Sequence, residues 1–234
     1  MKITTVLFDL DGTLLPMDID TFTNGYFAML TQKLAPRGYD PKKLVAAIWA
    51  GTGAMVKNDG SRTNEEAFWD KFAQTFGEKS LEDKPLFEEF YANEFQQARK
   101  FCGYNQWAAK AVRAVKESGR RVALATNPIF PAVATESRLR WAGLEPSDFE
   151  LYTTYENSRY CKPNLDYYRD VLDRLGAAPG ECLMVGNDVE EDMVAQALGM
   201  EVFLIIDCLI NKAGKDICAY SYGGFEDLIR FVCG

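Results

Sequence analysis

The sequence contains no histidine in 234 residues. That absence removes a Ser-His-Asp triad, a Cys-His dyad and an H-E-x-x-H metal site together. Any chemistry must run on carboxylates, hydroxyls, lysine and a bound ion. Close cysteine pairs are missing too. Cys102, Cys161, Cys182, Cys208, Cys218 and Cys233 form no C-x-x-C motif, so reduced thiols in a cytoplasmic protein are expected rather than a zinc site. No apolar run approaches the roughly 20 residues that cross a bilayer. The run 3–10 is short and is interrupted by Asp9, so no signal peptide is expected. Positive charge is scarce: 26 Lys and Arg stand against 34 Asp and Glu, a formal net charge of −8. This balance disfavours nucleic acid polymers and anionic membranes as partners. It allows a small phosphorylated metabolite, because a few backbone dipoles and one lysine can hold a phosphate.

What is present reads as an ordered globular chain, with 47% apolar and 13% aromatic residues. Residues 3–8 (ITTVLF), 121–125 (RVALA), 182–185 (CLMV) and 202–206 (VFLII) are short apolar runs of the kind buried in parallel sheets. A further strand is expected near 149–153. Helices are expected at 105–118, 131–141, 165–175, 190–198 and 225–232. This alternation predicts an α/β fold, a doubly wound, mostly parallel sheet of Rossmann type. Residues 16–100 break the pattern. They predict four helices, near 21–35, 41–50, 64–75 and 83–100, and no strand. The expected organisation is an α/β core from residues 1–15 and 101–234, with an all-helical cap domain inserted at 16–100. Insertion at a loop tip is structurally cheap, and a lid over strand ends can exclude water.

Ligands of open parallel sheets bind beyond the carboxyl ends of strands. Polar residues follow four of these segments: Asp9, Asp11 and Thr13; Thr126 and Asn127; Lys162, ahead of the helix at 165; and Asp188 with Asp192. Two carboxylates at i and i+2 after an apolar strand repel unless a cation or proton lies between them. Asp188 and Asp192 add to the excess. Such an oxygen-rich cluster suits Mg2+. Gly12 permits a tight turn whose N–H groups can point inward. The parts assemble into phosphoryl transfer. Asp9 attacks phosphorus, and Asp11 protonates the leaving oxygen and then deprotonates water. Thr126, Lys162 and backbone amides hold the phosphoryl oxygens.

These residues resemble the haloacid dehalogenase-like hydrolase superfamily. D-x-D-G-T stands intact as Asp9-Leu10-Asp11-Gly12-Thr13, a strand ends in Thr126, Lys162-Pro163 precedes a helix, and Gly186-Asn187-Asp188 follows a strand, with Asp192 beyond. The resemblance implies that Asp9 is nucleophile and magnesium ligand. It implies that Asp11 is the acid/base and gives its backbone carbonyl to the metal. Asp188 completes the protein ligands, with Asp192 ligating through water or orienting Lys162. Thr126 and the Asn127 amide would bind phosphate. The insert resembles the helical cap of the phosphoglycolate phosphatase-like group. The dehalogenase branch lacks the second aspartate, so Asp11 favours a phosphatase. A mutase branch looks for a histidine-containing cap loop, and a phosphonate-cleaving branch for a lysine within residues 14–29; neither residue is there.

The implied function is Mg-dependent hydrolysis of a phosphomonoester through an aspartyl-phosphate. A phosphotransfer enzyme such as a sugar-phosphate mutase, or a non-catalytic binding protein on the same fold, are the alternatives. The glycine-rich stretch 51–62 is expected to be a cap loop facing the nucleophile, where Lys57 and Arg62 would meet a second acidic group on the substrate. Asn24 and Tyr26 are candidate lid-lining residues, and Phe68, Phe72 and Phe76 candidate cap core. A monomer or homodimer is expected.

Overall fold

The computed structural model describes residues 3–234. Five strands form one wholly parallel sheet: β1 (Thr5–Phe8), β2 (Arg121–Leu124), β3 (Cys182–Gly186), β4 (Glu201–Ile205) and β5 (Ser221–Gly223), in the order β2-β1-β3-β4-β5. Thr5 sits opposite both Arg121 and Cys182, which brings the carboxyl ends of β2, β1 and β3 level. Alternate strand residues point to opposite faces. Val6, Phe8, Leu124 and Val185 pack on one side, and Leu7, Ala123, Met184 and Leu204 on the other. Helices α5 (Gln106–Glu117), α6 (Ala132–Trp141) and α8 (Phe225–Cys233) supply the first face, and α7 (Leu165–Leu175) the second. Both faces are covered, as the doubly wound reading requires.

Between β1 and α5 the chain builds only helices: α1 (Ile19–Leu34), α2 (Pro41–Val56), α3 (Asn64–Phe76) and α4 (Lys84–Ala92), with a 3-10 stretch at Glu94–Phe101. Their starts are written in the sequence. Asp18 and Asp40 accept from the Thr21 and Lys43 amides at 2.8 Å, and Thr63 with Glu66 forms a capping box on α3. Phe68, Phe72 and Phe76 pack in series, with ring centroids 6.0 and 5.1 Å apart. The two connectors run side by side. Met17 bridges Cys102, and the Gly103 amide donates to the Pro16 carbonyl at 2.7 Å.

A seam joins this helical layer to the core. The first amides of α3, at Asn64 and Glu65, donate at 2.8 Å to the carbonyls of Ser158 and Tyr155. They satisfy in trans the groups that a helix start leaves open. The side chain of Asn64, fully buried, also donates from Nδ2 to the Pro128 and Tyr160 carbonyls, at 3.2 and 3.4 Å.

Several boundaries differ from the sequence reading. The stretch 51–62 is not one loop, because α2 continues to Val56. Gly51 acts there as a packing residue, since a Cβ would lie 2.5 Å from the Phe68 ring. The helix expected over 83–100 breaks at Asn93, where φ −115° and ψ −81° leave helical space. The helix expected at 190–198 is a 3-10 stretch over Met193–Leu198. The strand expected near 149–153 is one bridge between Tyr152 and Leu124. β5 was not anticipated, being short and glycine-flanked. No helix among the described residues is long and apolar enough to cross a membrane.

Gly51→Ala is expected to destabilise the protein by about 1–3 kcal/mol through overpacking against Phe68. Gly53→Ala, with nothing within 4 Å of the added Cβ, is expected to be neutral or stabilising by up to about 1 kcal/mol. Urea unfolding of the two variants compares them directly, and equal midpoints would contradict the α2–α3 contact.

Candidate active site

Asp9 follows β1 and stays tied to the sheet, its amide donating to the Val185 carbonyl at 2.9 Å. The chain then folds back. The Leu10 carbonyl accepts from the Thr13 and Leu15 amides, at 3.2 and 2.8 Å. The fold-back requires Gly12, whose φ is +87° and whose Cβ, if present, would lie 2.4 Å from Asn187 Nδ2. It returns the Thr13 hydroxyl to Asp9 Oδ2 at 2.9 Å, with Asn187 Oδ1 also at 2.9 Å. Its single proton serves one acceptor at a time. Asn187, after β3, is fixed in turn by donation from Nδ2 to the Cys208 carbonyl at 2.6 Å.

Lys162 reaches the same carboxylate from the turn before α7. Its side chain is fully buried, with Nζ 2.9 Å from Asp9 Oδ1 and 2.6 Å from Asp192 Oδ1. Desolvation alone would lower the pKa of this ammonium, but Asp192 and Asp9 outweigh it and hold the group well above its usual range. Asp192 Oδ2 accepts from the Asp188 amide at 3.0 Å, so both Asp192 oxygens are engaged by donors of the chain. Burial pushes the Asp192 carboxyl up, and Lys162 pulls it back. Asp188 Oδ1 accepts from the Glu190 and Glu191 amides, at 2.7 and 2.9 Å.

Asp11 is paired with Arg138 of α6 through Oδ2, while Oδ1 is buried with no partner. Burial raises the Asp11 pKa and Arg138 opposes the rise. Arg138 is 1% exposed. It donates from Nε to the Ala134 carbonyl at 3.2 Å and lies 4.3 Å above the Phe130 ring. The sequence reading missed it. The available signal was a lone arginine among Ala134, Leu139 and Trp141 on the buried side of α6. Glu191 was also missed, although it stands in the acidic run beside Asp192. It accepts from Asn127 Nδ2 at 3.0 Å, and burial pushes its pKa up to about 7 against the opposing charge of Lys162. Asn127 Oδ1 is buried without a partner. Thr126 is buried, its carbonyl fixed by the Thr153 and Tyr167 hydroxyls at 2.7 and 2.8 Å.

Asp9, Asp11, Thr126, Asn127, Asp188 and Asp192 all line one cavity of about 300 Å³, which is closed by further core residues such as Phe130 and Tyr155 and by the helical layer. Tyr26 and Thr52 line it as well. Lys57 and Arg62 do not. Lys57 is exposed just beyond the end of α2, and Arg62 is exposed and paired with Asp70. The continuation of α2 carries both outward, and Asn58 pins the remaining short loop by donating to the Arg62 carbonyl at 2.9 Å. Asn24 is exposed on α1.

Among the described residues, no three His, Cys, Asp or Glu side chains already form a closed metal cage. The donor set still fits magnesium. That ion takes one or two carboxylates, keeps several waters and accepts only oxygen. Here Asp9, Asp11, Asp188 and Glu191 converge on one cavity, and Asp11 Oδ1 is a buried oxygen with no donor.

The sequence profile of the haloacid dehalogenase-like hydrolases matches residues 3–199. The chain belongs to the haloacid dehalogenase-like hydrolase family. Pyrophosphatase PpaX of Bacillus cereus (strain AH820) is 24% identical over 213 residues, which is 91% of this chain and 88% of PpaX. Among solved structures, a HAD phosphatase from Thermococcus onnurineus superposes with TM-score 0.59 at 19% identity, covering 100% of this hydrolase and 99% of that chain. The L-2-haloacid dehalogenase from Xanthobacter autotrophicus also reaches 0.59, at 17% identity and 99% of both chains. Fold alone therefore does not separate phosphatase from dehalogenase. The residues at the strand ends must.

Lys162→Met is expected to cost the hydrolase about 3–5 kcal/mol, because it leaves Asp9 and Asp192 buried without their cation. Adding Asp192→Asn should recover part of that loss. A urea double-mutant cycle measures the coupling, and strictly additive effects would contradict the buried pair.

Proposed function

We propose that this hydrolase is a magnesium-dependent phosphomonoesterase that works through an aspartyl-phosphate on Asp9. The observation that carries the reading is the double hold on Asp9. Lys162 donates to one oxygen and Thr13 to the other, each at 2.9 Å, on a cavity wall that also carries Asp11. A carboxylate held at both oxygens is aimed rather than free, and aim is what a near-attack geometry needs. Asp11, two residues on and held by Arg138, supports the phosphatase branch over the dehalogenase branch.

In this reading Asp9 attacks phosphorus, and the bond from phosphorus to the ester oxygen breaks. The leaving oxygen takes its proton from the Asp11 carboxyl. Water then attacks the acyl-phosphate, passing a proton to Asp11 and releasing Asp9 and inorganic phosphate. Thr126, the Asn127 amide and Lys162 hold the phosphoryl oxygens. Asp192 keeps Lys162 charged and in place. Magnesium would be held by Asp9, the Asp11 backbone carbonyl and Asp188, and it would supply charge neutralisation for a phosphate dianion entering an acidic site. Lys57 and Arg62, being outside the cavity, receive no role. We divide the hydrolase into a core of residues 1–15 and 101–234 and a cap of residues 16–100, and the small cavity between them suits a small metabolite. The six free cysteines are consistent with a cytoplasmic setting.

With magnesium and p-nitrophenyl phosphate, Asp9→Asn is expected to lower kcat by at least roughly 10⁴-fold, as loss of a covalent nucleophile does. Undiminished turnover in that variant overturns the mechanism. Chelation of magnesium should stop the wild-type reaction, and resupply should restore it. Asp11→Asn should slow alkyl phosphates far more than p-nitrophenyl phosphate, whose leaving group needs no proton. Equal losses on both esters would remove Asp11 as the acid.

A further inference from the structure

The cavity that begins at Asp9 ends among rings. Phe22 and Phe27 of α1, Trp49 of α2, Phe68 and Trp69 of α3 and Phe87 of α4 all line it. They meet edge to face: Phe27 with Trp49 at 5.5 Å, Phe68 with Trp69 at 5.3 Å, and Trp69 with Phe87 at 5.1 Å between centroids. Such packing leaves ring faces and edges available to a further aromatic group. Trp49 is 55% exposed despite its size, and its ring has no apolar cover on that side. The Trp69 indole N–H is buried in the same wall, beside the Tyr155 hydroxyl.

Charge on the walls points the same way. No arginine lines the cavity among the described residues, and its lining cations are Lys84 and Lys212. Lys84 is already engaged, 5.2 Å above the Trp69 ring and 3.8 Å from Glu65. At that end a second acidic group on a substrate would approach Glu65 and Glu88, and the other lining cation, Lys212, stands on the core side of the cavity. On the helical side a sugar's hydroxyls would compete for Thr23, Thr52, Glu65 and Glu88, since the Tyr26 and Tyr91 hydroxyls already bond each other at 2.7 Å. The volume of about 300 Å³ lies at the low end for small-molecule pockets, enough for one or two fused rings beside a phosphate.

We infer that the substrate is the phosphomonoester of an aromatic alcohol, its ring or ring pair seated in the cap between Trp49 and Trp69, and not a phosphorylated small acid or sugar. This rests on the phosphomonoesterase reading and adds the identity of the alcohol.

The test compares kcat/KM, with magnesium, for benzyl phosphate, 2-naphthylmethyl phosphate, ethyl phosphate, phosphoglycolate and glucose 6-phosphate. All five release an alkoxide, so differences report the pocket more than leaving-group chemistry. Burial of a phenyl-sized group is expected to favour the two aromatic esters about 10- to 100-fold over ethyl phosphate. Trp49→Ala is expected to lower kcat/KM for 2-naphthylmethyl phosphate about tenfold more than for ethyl phosphate. In parallel, tryptophan fluorescence follows the binding of benzylphosphonate and ethylphosphonate, which cannot be hydrolysed. Turnover in which phosphoglycolate or glucose 6-phosphate matches or exceeds the aromatic esters overturns the inference and leaves the phosphatase reading standing. Tenfold tighter binding of benzylphosphonate with no ester hydrolysed supports the aromatic pocket and removes the phosphatase reading. Equal binding of the two phosphonates with no turnover removes both.

Discussion

The ammonium of Lys162 is the charge on which the centre depends. Its side chain is fully buried, and two carboxylates from separate parts of the chain stand where solvent would otherwise be. A buried charge without its partner is costly in such surroundings, so the lysine and the two carboxylates depend on one another. The three residues come from the turns after β1, before α7 and after β3, so correct strand order is a condition for satisfying any of them. A slipped register would leave a charge buried without its partner, which makes the centre a check on the fold as well as a reactive site.

A second buried cation divides the two acidic residues of the D-x-D motif. Lys162 serves Asp9, and Arg138 serves Asp11. Two carboxylates two residues apart are thus held in different electrostatic settings before any ion is added. Arg138 is itself fixed by the Phe130 ring and the Ala134 carbonyl, so it behaves as part of the α6 scaffold and not as a mobile surface charge. The asymmetry is what the roles proposed for Asp9 and Asp11 call for.

Much of the architecture was legible in the sequence because its signals are local. Apolar runs ending in polar residues indicated the strands β1 to β4, and apolar residues at three- and four-residue steps indicated the cap helices. The D-x-D-G-T turn could be read because Gly12 admits a backbone that other residues resist. What stayed hidden depends on distant partners. Gly51 looked like a breaker, yet Phe68, seventeen residues on, makes it a packing residue inside α2. That one difference moved Lys57 and Arg62 out of the cavity and left aromatic rings where charge was expected. Arg138 and Glu191 left only faint signals, an arginine on an apolar helix side and an acidic run, and it is tertiary burial that gives both a place in the site.

The seam at the start of α3 carries a mechanical consequence. Asn64 and Glu65 bind the segment 155–160, and that segment runs directly into Cys161 and Lys162. The cap is fastened to the core there by two backbone bonds and by the side chain of a fully buried asparagine. The segment that seats the cap is thus continuous in the chain with the lysine that holds Asp9.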